Sequence, residues 1–299
     1  MKISPDCIIC LFQQALRTSK LATENEGLQR KILTRVANEI AELKEETIPI
    51  EVAGRIQELV GELTSVTDPY QKVKRRYNDL ALKLYPRLKE LLEGAEEPLL
   101  TAIRLAIAGN IVDFGIGSEF DLEQAIQDSL TWEFGIFDYE FFLARLAAAE
   151  SILYIGDNTG EIVFDKLLVE ELLRRGKQVT YVVRGGSVIN DVTLEDARYV
   201  GMDKIVPVIT TGTALPGTIL KEANSDFVAH FHGADLIIAK GQGNFEGLDE
   251  EPKAITFLLK AKCTLIANEL GVEPWSMVLY CKPSIKGEGL IDKNNKLLT

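Results

Sequence analysis

Two textures of apolar and polar positions divide this chain. Up to about Ala149, Leu, Ile and Ala recur at helical spacing among many Glu, Lys and Arg, which is the pattern of amphipathic helices. Ser4-Pro5-Asp6 reads as a helix cap with proline in the first turn. Thr67-Asp68-Pro69 repeats that signal before "YQKVKRRYNDLALKLYPRLKELLEG", where Gly94 supplies a stop. "EEPLLTAIRLAIAGNIVDFGIG" gives another apolar helix ending in a polar cluster. From Ser151 onward, short β-rich runs alternate with helical stretches. The predicted strands are "SILYIG", "QVTYVVRG", "KIVPVIT", "DLIIAKG", "CTLIAN" and "SMVLYCK". Helical "TGEIVFDKLLVEELLRRG", "TLEDARYVG" and "ALPGTILKEANSDFVAHF" separate the first four. Ile and Val runs without polar alternation suit strands covered on both faces. Alternating β and α segments imply a mostly parallel sheet. The expected fold is therefore α/β. A Rossmann-like, mostly parallel sheet flanked by helices occupies 150–299, an all-helical domain occupies 1–149, and the join falls near Glu150.

Composition narrows the function. The 299 residues are 46% hydrophobic and 26% charged, a globular balance with ample core. A net charge of −12 opposes nucleic acid as a partner, because such affinity rests on neutralising phosphates. A small phosphate ester stays open, since a local pocket can differ in sign from the whole surface. No apolar run is long enough to cross a bilayer, and the N-terminus lacks a signal peptide's apolar core. The expectation is a cytoplasmic protein with no membrane partner.

The chemistry starts at "SILYIGDNTGEIVFDKLLVEEL". A buried-looking strand stops at Gly156 and exposes Asp157 and Asn158 beside a helix start. In open α/β sheets, ligands bind beyond the carboxyl ends of strands. The Thr159–Gly160 turn would offer backbone N–H groups to a phosphate. The next strand ends in Arg184, and "GGSVINDVT" then delivers Asp191. A later strand ends in Lys240, followed by "GQGNFEG" with Asn244. Two carboxylates and a carboxamide oxygen are hard donors, suited to Mg²⁺ or Mn²⁺ ahead of Zn²⁺. Lys240 and Arg184 would balance phosphoryl charge. Each feature also has a plainer explanation. An Asp-Asn pair or Asp191 can cap a helix, and glycines relax turns. The coincidence of all three at strand ends favours phosphate-ester hydrolysis. The spacing G-x-G-x-x-G is absent after the first strand, which argues against a dinucleotide site.

"GDNTGE", "NDVT", "KGQGNFE", "AGNIVDFG" and "DPYQKVKRRYN" together resemble the DUF89 family of metal-dependent phosphatases, also called the damage-control or ARMT1-like phosphatases. The resemblance runs from about Cys7 to Cys281. The N-terminal Cys-Ile-Ile-Cys is similar to the archaeal and bacterial subgroup that carries C-x-x-C there. It implies a helical domain beside a Rossmann-like domain, with the active site between them. It implies a divalent metal on Asp157, Asn158 and Asp191, with Mn²⁺ or Mg²⁺ first and Co²⁺ or Ni²⁺ possible. Lys240 maps to the family lysine that contacts phosphate. The implied substrates are small phosphorylated metabolites, sugar phosphates and damaged metabolites among them.

Other constellations are weaker. Asn110 and Asp113 lie one helical turn apart in an apolar setting, and the resemblance favours their lining the crevice. Glu161 suits a first helical turn as a negative charge, with a role as base or supporting partner as the alternative. Cys7 and Cys10 share a helix face, and core packing or a labile disulfide is favoured over a metal site built with Cys263 and Cys281. His230 and His232 do not share a helix face, so they make a poor metal pair. Lys74 or Asn78 could reach the cleft. Water is favoured over Asp157 as attacker, because the D-x-D signature of aspartyl-phosphate enzymes is missing. The rivals are a non-catalytic sugar-phosphate or nucleotide sensor and, less favoured, a carboxyl methyltransferase.

Overall fold

The computed structural model describes residues 1–109, 126 and 128–284. Asn110 and Asp113 lie outside the described residues. Five helices open the chain: α1 (Pro5–Ala22), α2 (Glu26–Ala41), α3 (Pro49–Thr64), α4 (Gln71–Glu93) and α5 (Pro98–Ala108). The α/β part follows in the order β1 (Phe134–Phe137), α6 (Tyr139–Ala148), β2 (Ser151–Ile155), α7 (Glu161–Arg174), β3 (Gln178–Val183), α8 (Leu194–Val200), β4 (Val208–Thr210), α9 (Ser225–Gly233), β5 (Leu236–Lys240), α10 (Gly241–Leu248), β6 (Ile255–Lys260), α11 (Thr264–Leu270) and β7 (Met277–Lys282).

The seven strands form one sheet in the order β1-β7-β6-β5-β2-β3-β4. All neighbours run parallel except β6 and β7. Alternate side chains enter two cores. Ile152, Tyr154, Tyr181 and Ile238 face one layer of helices, while Leu153, Ile155, Val182 and Ile237 face the other with Phe227, Phe231 and Phe257. This is why the central stretches of these strands are apolar with little polar alternation. Chain order turns back between β2 and β5: β3 and β4 lie on one side, β6 and β7 on the other. A crevice at the carboxyl ends of β2 and β5 is the expected ligand position in such a sheet.

The segment expected as strand "CTLIAN" is instead helix α11, with Cys263 at its N-cap and Gly271 closing it at φ +68°. Only Ile266 and Ala267 of that helix are buried, so its apolar run covers one face. The strand is the preceding "ITFLLK", β6, buried over its first five residues. The two parts share packing across residue 150. β1 precedes Glu150 yet pairs with β7. Helices α1–α3 hold a small core of their own, whereas α4 and α5 contribute Leu84, Leu88, Ile103 and Leu105 to the core of the sheet. The core of α1–α3 is thus separate from the one that α4 and α5 share with the sheet. Sandwiched between the sheet and α4 and α5, α7 is buried on nearly every face, so its ionisable residues Glu161 and Asp165 must find partners inside the protein.

Candidate active site

β2 hands its chain to Gly156 at the switch point. A side chain at Gly156 would strike the Tyr181 ring, so only glycine lets the strand end this close to β3. Asp157 and Asn158 follow, both 8% exposed. The Asn158 carboxamide nitrogen donates to Asp157 Oδ2 at 2.8 Å, which commits the nitrogen to the carboxylate and makes the oxygen the atom suited to a cation. The loop after β3 comes back to meet this turn. Val192 N–H donates to the Asp157 carbonyl at 2.9 Å, Asn158 and Asp191 form an antiparallel bridge, and Thr159 donates through N–H and Oγ1 to the Asn190 carbonyl. Asp191 is thus fixed beside Asp157–Asn158 by the backbone, and the helix cap of α8 is Thr193, in a capping box with Asp196.

Arg184, at the end of β3 and 1% exposed, lies beneath both carboxylates. Its Nε donates to Asp191 Oδ2 at 2.7 Å and its Nη2 to Asp157 Oδ1 at 3.5 Å. Its Nη1 reaches Thr218 Oγ1 and Asn244 Oδ1, each at 3.1 Å. Asn244 in turn donates to the carbonyls of Gly156 and Lys240. The two aspartates therefore stand within the span of one guanidinium. Arg184, expected to face a phosphoryl group, is instead spent orienting them. Asn244, expected at the substrate, ties the ends of β2 and β5 together. Gly241 closes the other side at φ +77°, where a Cβ would collide with Asp157 Oδ2.

Lys240, expected at the phosphate, points inward. Its ammonium is fully buried and donates to Glu161 Oε1 at 2.5 Å, Asp165 Oδ1 at 2.6 Å and the Ala106 carbonyl at 2.8 Å. All three of its protons are spent, one of them on the open carbonyl end of α5. Asp165 also accepts from Tyr154 and Tyr181, each at 2.7 Å. Glu161 has only the lysine, and its Oε2 has no partner among the described residues. The expected phosphate cradle at Thr159–Gly160 is likewise occupied. Thr159 N–H bonds Asn190, Gly160 N–H bonds Asn78 Oδ1 at 2.8 Å, and Ile162 N–H bonds the Asn158 carbonyl.

The electrostatics follow from that wiring. Four buried carboxyl groups, Asp157, Asp191, Glu161 and Asp165, face two buried cations, Arg184 and Lys240. Burial, then Asp191, pushes Asp157 up to about 7 against Arg184, Lys262 and Lys240. Burial pushes Glu161 up to about 8 against the pull of Lys240. One ammonium cannot neutralise two carboxylates, and Asp165, with two tyrosine donors, keeps the larger share. Burial opposes charge on Lys240, but Asp165 and Glu161 outweigh it and hold its pKa above the usual lysine value. The crevice is short of positive charge, and its donors are oxygens. That is the condition a hard divalent cation meets. Among the described residues no three His, Cys, Asp or Glu side chains converge as a metal set. The set here is two carboxylates and one carboxamide.

Sequence reasoning missed Lys262. It follows β6, is half-buried, and stands close enough to Asp157 for its charge to pull that carboxyl's pKa down. Recognising "ITFLLK" as a strand would have put it on the rim. All four cysteines are free thiols; Cys263 Sγ accepts from Gln242 at 3.4 Å, and Cys10 stands near enough to Cys7, Glu246 and Cys263 for their charges to raise its pKa, after burial. Cys281 sits in β7 beside Thr256 and Asp138, away from Cys7 and Cys10, so a four-cysteine site does not form. His230 bonds the Asp226 carbonyl on the surface.

Comparison with known proteins fits this arrangement. The damage-control phosphatase ARMT1-like domain matches residues 3–278. A damage-control phosphatase of Archaeoglobus fulgidus is 37% identical over 283 residues, covering 93% of this chain and 98% of that protein. One from Pyrococcus horikoshii is 36% identical over 282 residues, covering 93% and 97%. The crystal structure of a DUF89 family protein from Pyrococcus horikoshii matches with a TM-score of 0.89 at 34% identity, covering 94% of this chain and 99% of that one. A mouse 4'-phosphopantetheine phosphatase is 31% identical over 159 residues, 46% of this chain and 19% of that protein. A family model spanning nearly the whole chain, relatives matched along almost their full length and a shared fold lead to one conclusion: the chain belongs to the damage-control phosphatase ARMT1-like (DUF89) family and is a phosphatase.

Proposed function

We propose that this phosphatase hydrolyses a phosphomonoester of a small metabolite at the carboxyl ends of β2, β3 and β5, with Asp157, Asn158 and Asp191 holding one divalent cation. The observation that carries the reading is the convergence of Asp157 and Asp191 on the single guanidinium of Arg184, with Asn158 bonded to Asp157. Mn²⁺ or Mg²⁺ fits the donor set best, and Co²⁺ or Ni²⁺ can substitute. When bound, such a cation offsets charge on phosphoryl oxygens and acidifies water.

The protein's own groups divide the remaining work. Arg184 fixes the angle between the two aspartates. Lys240, Glu161 and Asp165 form the charged floor beneath them and do not touch substrate. Lys262 supplies the positive charge that meets the phosphoryl group from the rim. Asp157 has both oxygens engaged, by Asn158 and Arg184, and is backed by Gly241. That arrangement supports water, rather than Asp157, as the attacking group. The substrate class is that of the mouse relative, whose name gives 4'-phosphopantetheine, a small phosphorylated metabolite.

The test is hydrolysis of a generic aryl phosphate with no metal, Mg²⁺, Mn²⁺, Co²⁺ or Ni²⁺, for the wild type, Asp157→Ala and Lys262→Met. Metal-dependent release abolished by Asp157→Ala, with a raised KM in Lys262→Met, is expected. Release that ignores both metal and Asp157→Ala removes the reading. A single turnover in ¹⁸O-water that first labels the protein instead of phosphate would overturn water as attacker.

A further inference from the structure

The sequence segment "DPYQKVKRRYN" belongs to none of the groups so far given work, yet it sends a helix against both loops that carry the proposed ligands. Asn78 and Lys74 lie one turn apart on α4 and are 1% and 4% exposed. Asn78 Oδ1 accepts the Gly160 N–H at 2.8 Å. Gly160 is the N-cap of α7, at φ +76°, with no side-chain cap of its own, so an asparagine from another helix satisfies the donor that the turn leaves open. The Asn78 nitrogen donates to Asp196 Oδ1 at 3.3 Å. Lys74 Nζ meets Asp196 Oδ2 at 2.8 Å and Asp68 at 3.5 Å. The same Asp196 oxygen accepts from Thr193 N–H and Oγ1, two residues after Asp191. Arg75 covers the Tyr199 ring at 3.2 Å, and Tyr199 bonds Asp79, so the next residues of α4 hold α8 as well.

One helical turn thus grips Gly160, two residues after Asn158, and the Thr193–Asp196 box, two residues after Asp191. We infer that Asn78 and Lys74 are positioning residues. Together with Asp196 they brace the two ligand loops against α4 and set the separation of Asp157, Asn158 and Asp191. The inference rests on the proposed metal site and extends it to the helical part of the chain. Through this brace, movement of α4 against the sheet changes cation affinity without touching a ligand. Residues that hold ligands in place in this way cost roughly 10–100-fold in metal affinity when removed.

The experiment measures Mn²⁺ affinity of the full chain by calorimetry, and the Mn²⁺ electron paramagnetic resonance linewidth, for wild type, Asn78→Ala and Lys74→Met. Melting of the metal-free proteins is followed alongside. The brace predicts Mn²⁺ binding weakened about tenfold or more in Asn78→Ala, a smaller loss in Lys74→Met, and a changed linewidth in both. A lowered melting point with unchanged Mn²⁺ affinity and linewidth would mean packing alone and overturn it. If Asn78→Ala fails to fold, Asn78→Asp keeps an acceptor for Gly160 while setting a like charge against Asp196, and must still weaken Mn²⁺. A wild type that binds no Mn²⁺ sinks the metal site and the brace together. A wild type that binds it, with variants that bind equally well, sinks the brace alone.

Discussion

Replacing Lys240 by methionine separates a structural lysine from a substrate-binding one. The ammonium is fully buried and its three protons go to Glu161, Asp165 and the Ala106 carbonyl. Lys240→Met leaves two carboxylates in the interior without a counter-charge. Breaking a buried pair from one side costs about 3–5 kcal/mol. The loss falls chiefly on Glu161, since Asp165 retains the hydroxyls of Tyr154 and Tyr181. Glu161 is already pushed up to about 8 by burial, and without the lysine it rises further. A raised acid pKa means the folded state holds its proton more tightly than the unfolded chain, so the variant's stability falls as pH rises. The deficit should therefore be smallest at pH 6, where Glu161 holds its proton in both proteins, and larger at pH 8.5, where the wild type's Glu161 has begun to ionise and the variant's has not. Urea unfolding of the metal-free protein, followed by far-UV circular dichroism at both pH values, measures it. If Lys240→Met alone does not fold, Glu161→Gln/Lys240→Met should recover part of the loss. A deficit under about 1 kcal/mol at both pH values, with KM for a phosphate ester raised more than tenfold, would refute the reasoning and return Lys240 to the substrate.

Three further outcomes follow from the same geometry. Gly241→Ala places a Cβ against Asp157 Oδ2 at a positive φ, so calorimetry should find Mn²⁺ binding lost and urea unfolding a destabilisation above about 1 kcal/mol. Asp157 must shed a proton to bind a cation, and it is pushed up to about 7 by burial and Asp191. Mn²⁺ affinity should therefore climb up to about tenfold per pH unit below pH 7 and flatten above it, and equal affinity at pH 5.5 and 8 would contradict this. Glu246, buried on α10 and bonded by Gln242, is pushed from 4.5 up to about 7 by burial. Its ionisation costs the fold stability as pH rises through that window, so Glu246→Gln should gain about 3 kcal/mol on the wild type between pH 4.5 and 8.

The sheet and the position of the crevice were legible because strands covered on both faces are apolar through their middle, as β2, β3 and β5 are. The Asp157-Asn158 turn, proposed here as part of the metal site, was conspicuous for the same reason: it is a polar pair directly after such a strand. The direction of the cations was not. A lysine at a strand end reads alike whether it faces substrate or a buried carboxylate. Only the packing of α7 between the sheet and α5 turns Lys240 inward, by bringing Glu161 and Asp165 to it. The same packing explains why Glu161 looked like an ordinary first-turn acid. The "CTLIAN" run misled because half of its apolar residues cover a single helix face, and that error hid Lys262. Short β1, with four residues in contact with one neighbour strand, has too little periodicity to announce itself. Asn78 was recognisable only as polar on a charged helix. Its partner Gly160 lies 82 residues away, a pairing that local pattern does not encode.

The central claim is that Asp157, Asn158 and Asp191 share one cation. An anomalous-scattering map from a crystal soaked in Mn²⁺ tests it most directly. The account predicts a single peak about 2 Å from a carboxylate oxygen of each aspartate and from the Asn158 carboxamide oxygen. A peak elsewhere, or one that contacts only one of the three, would contradict it.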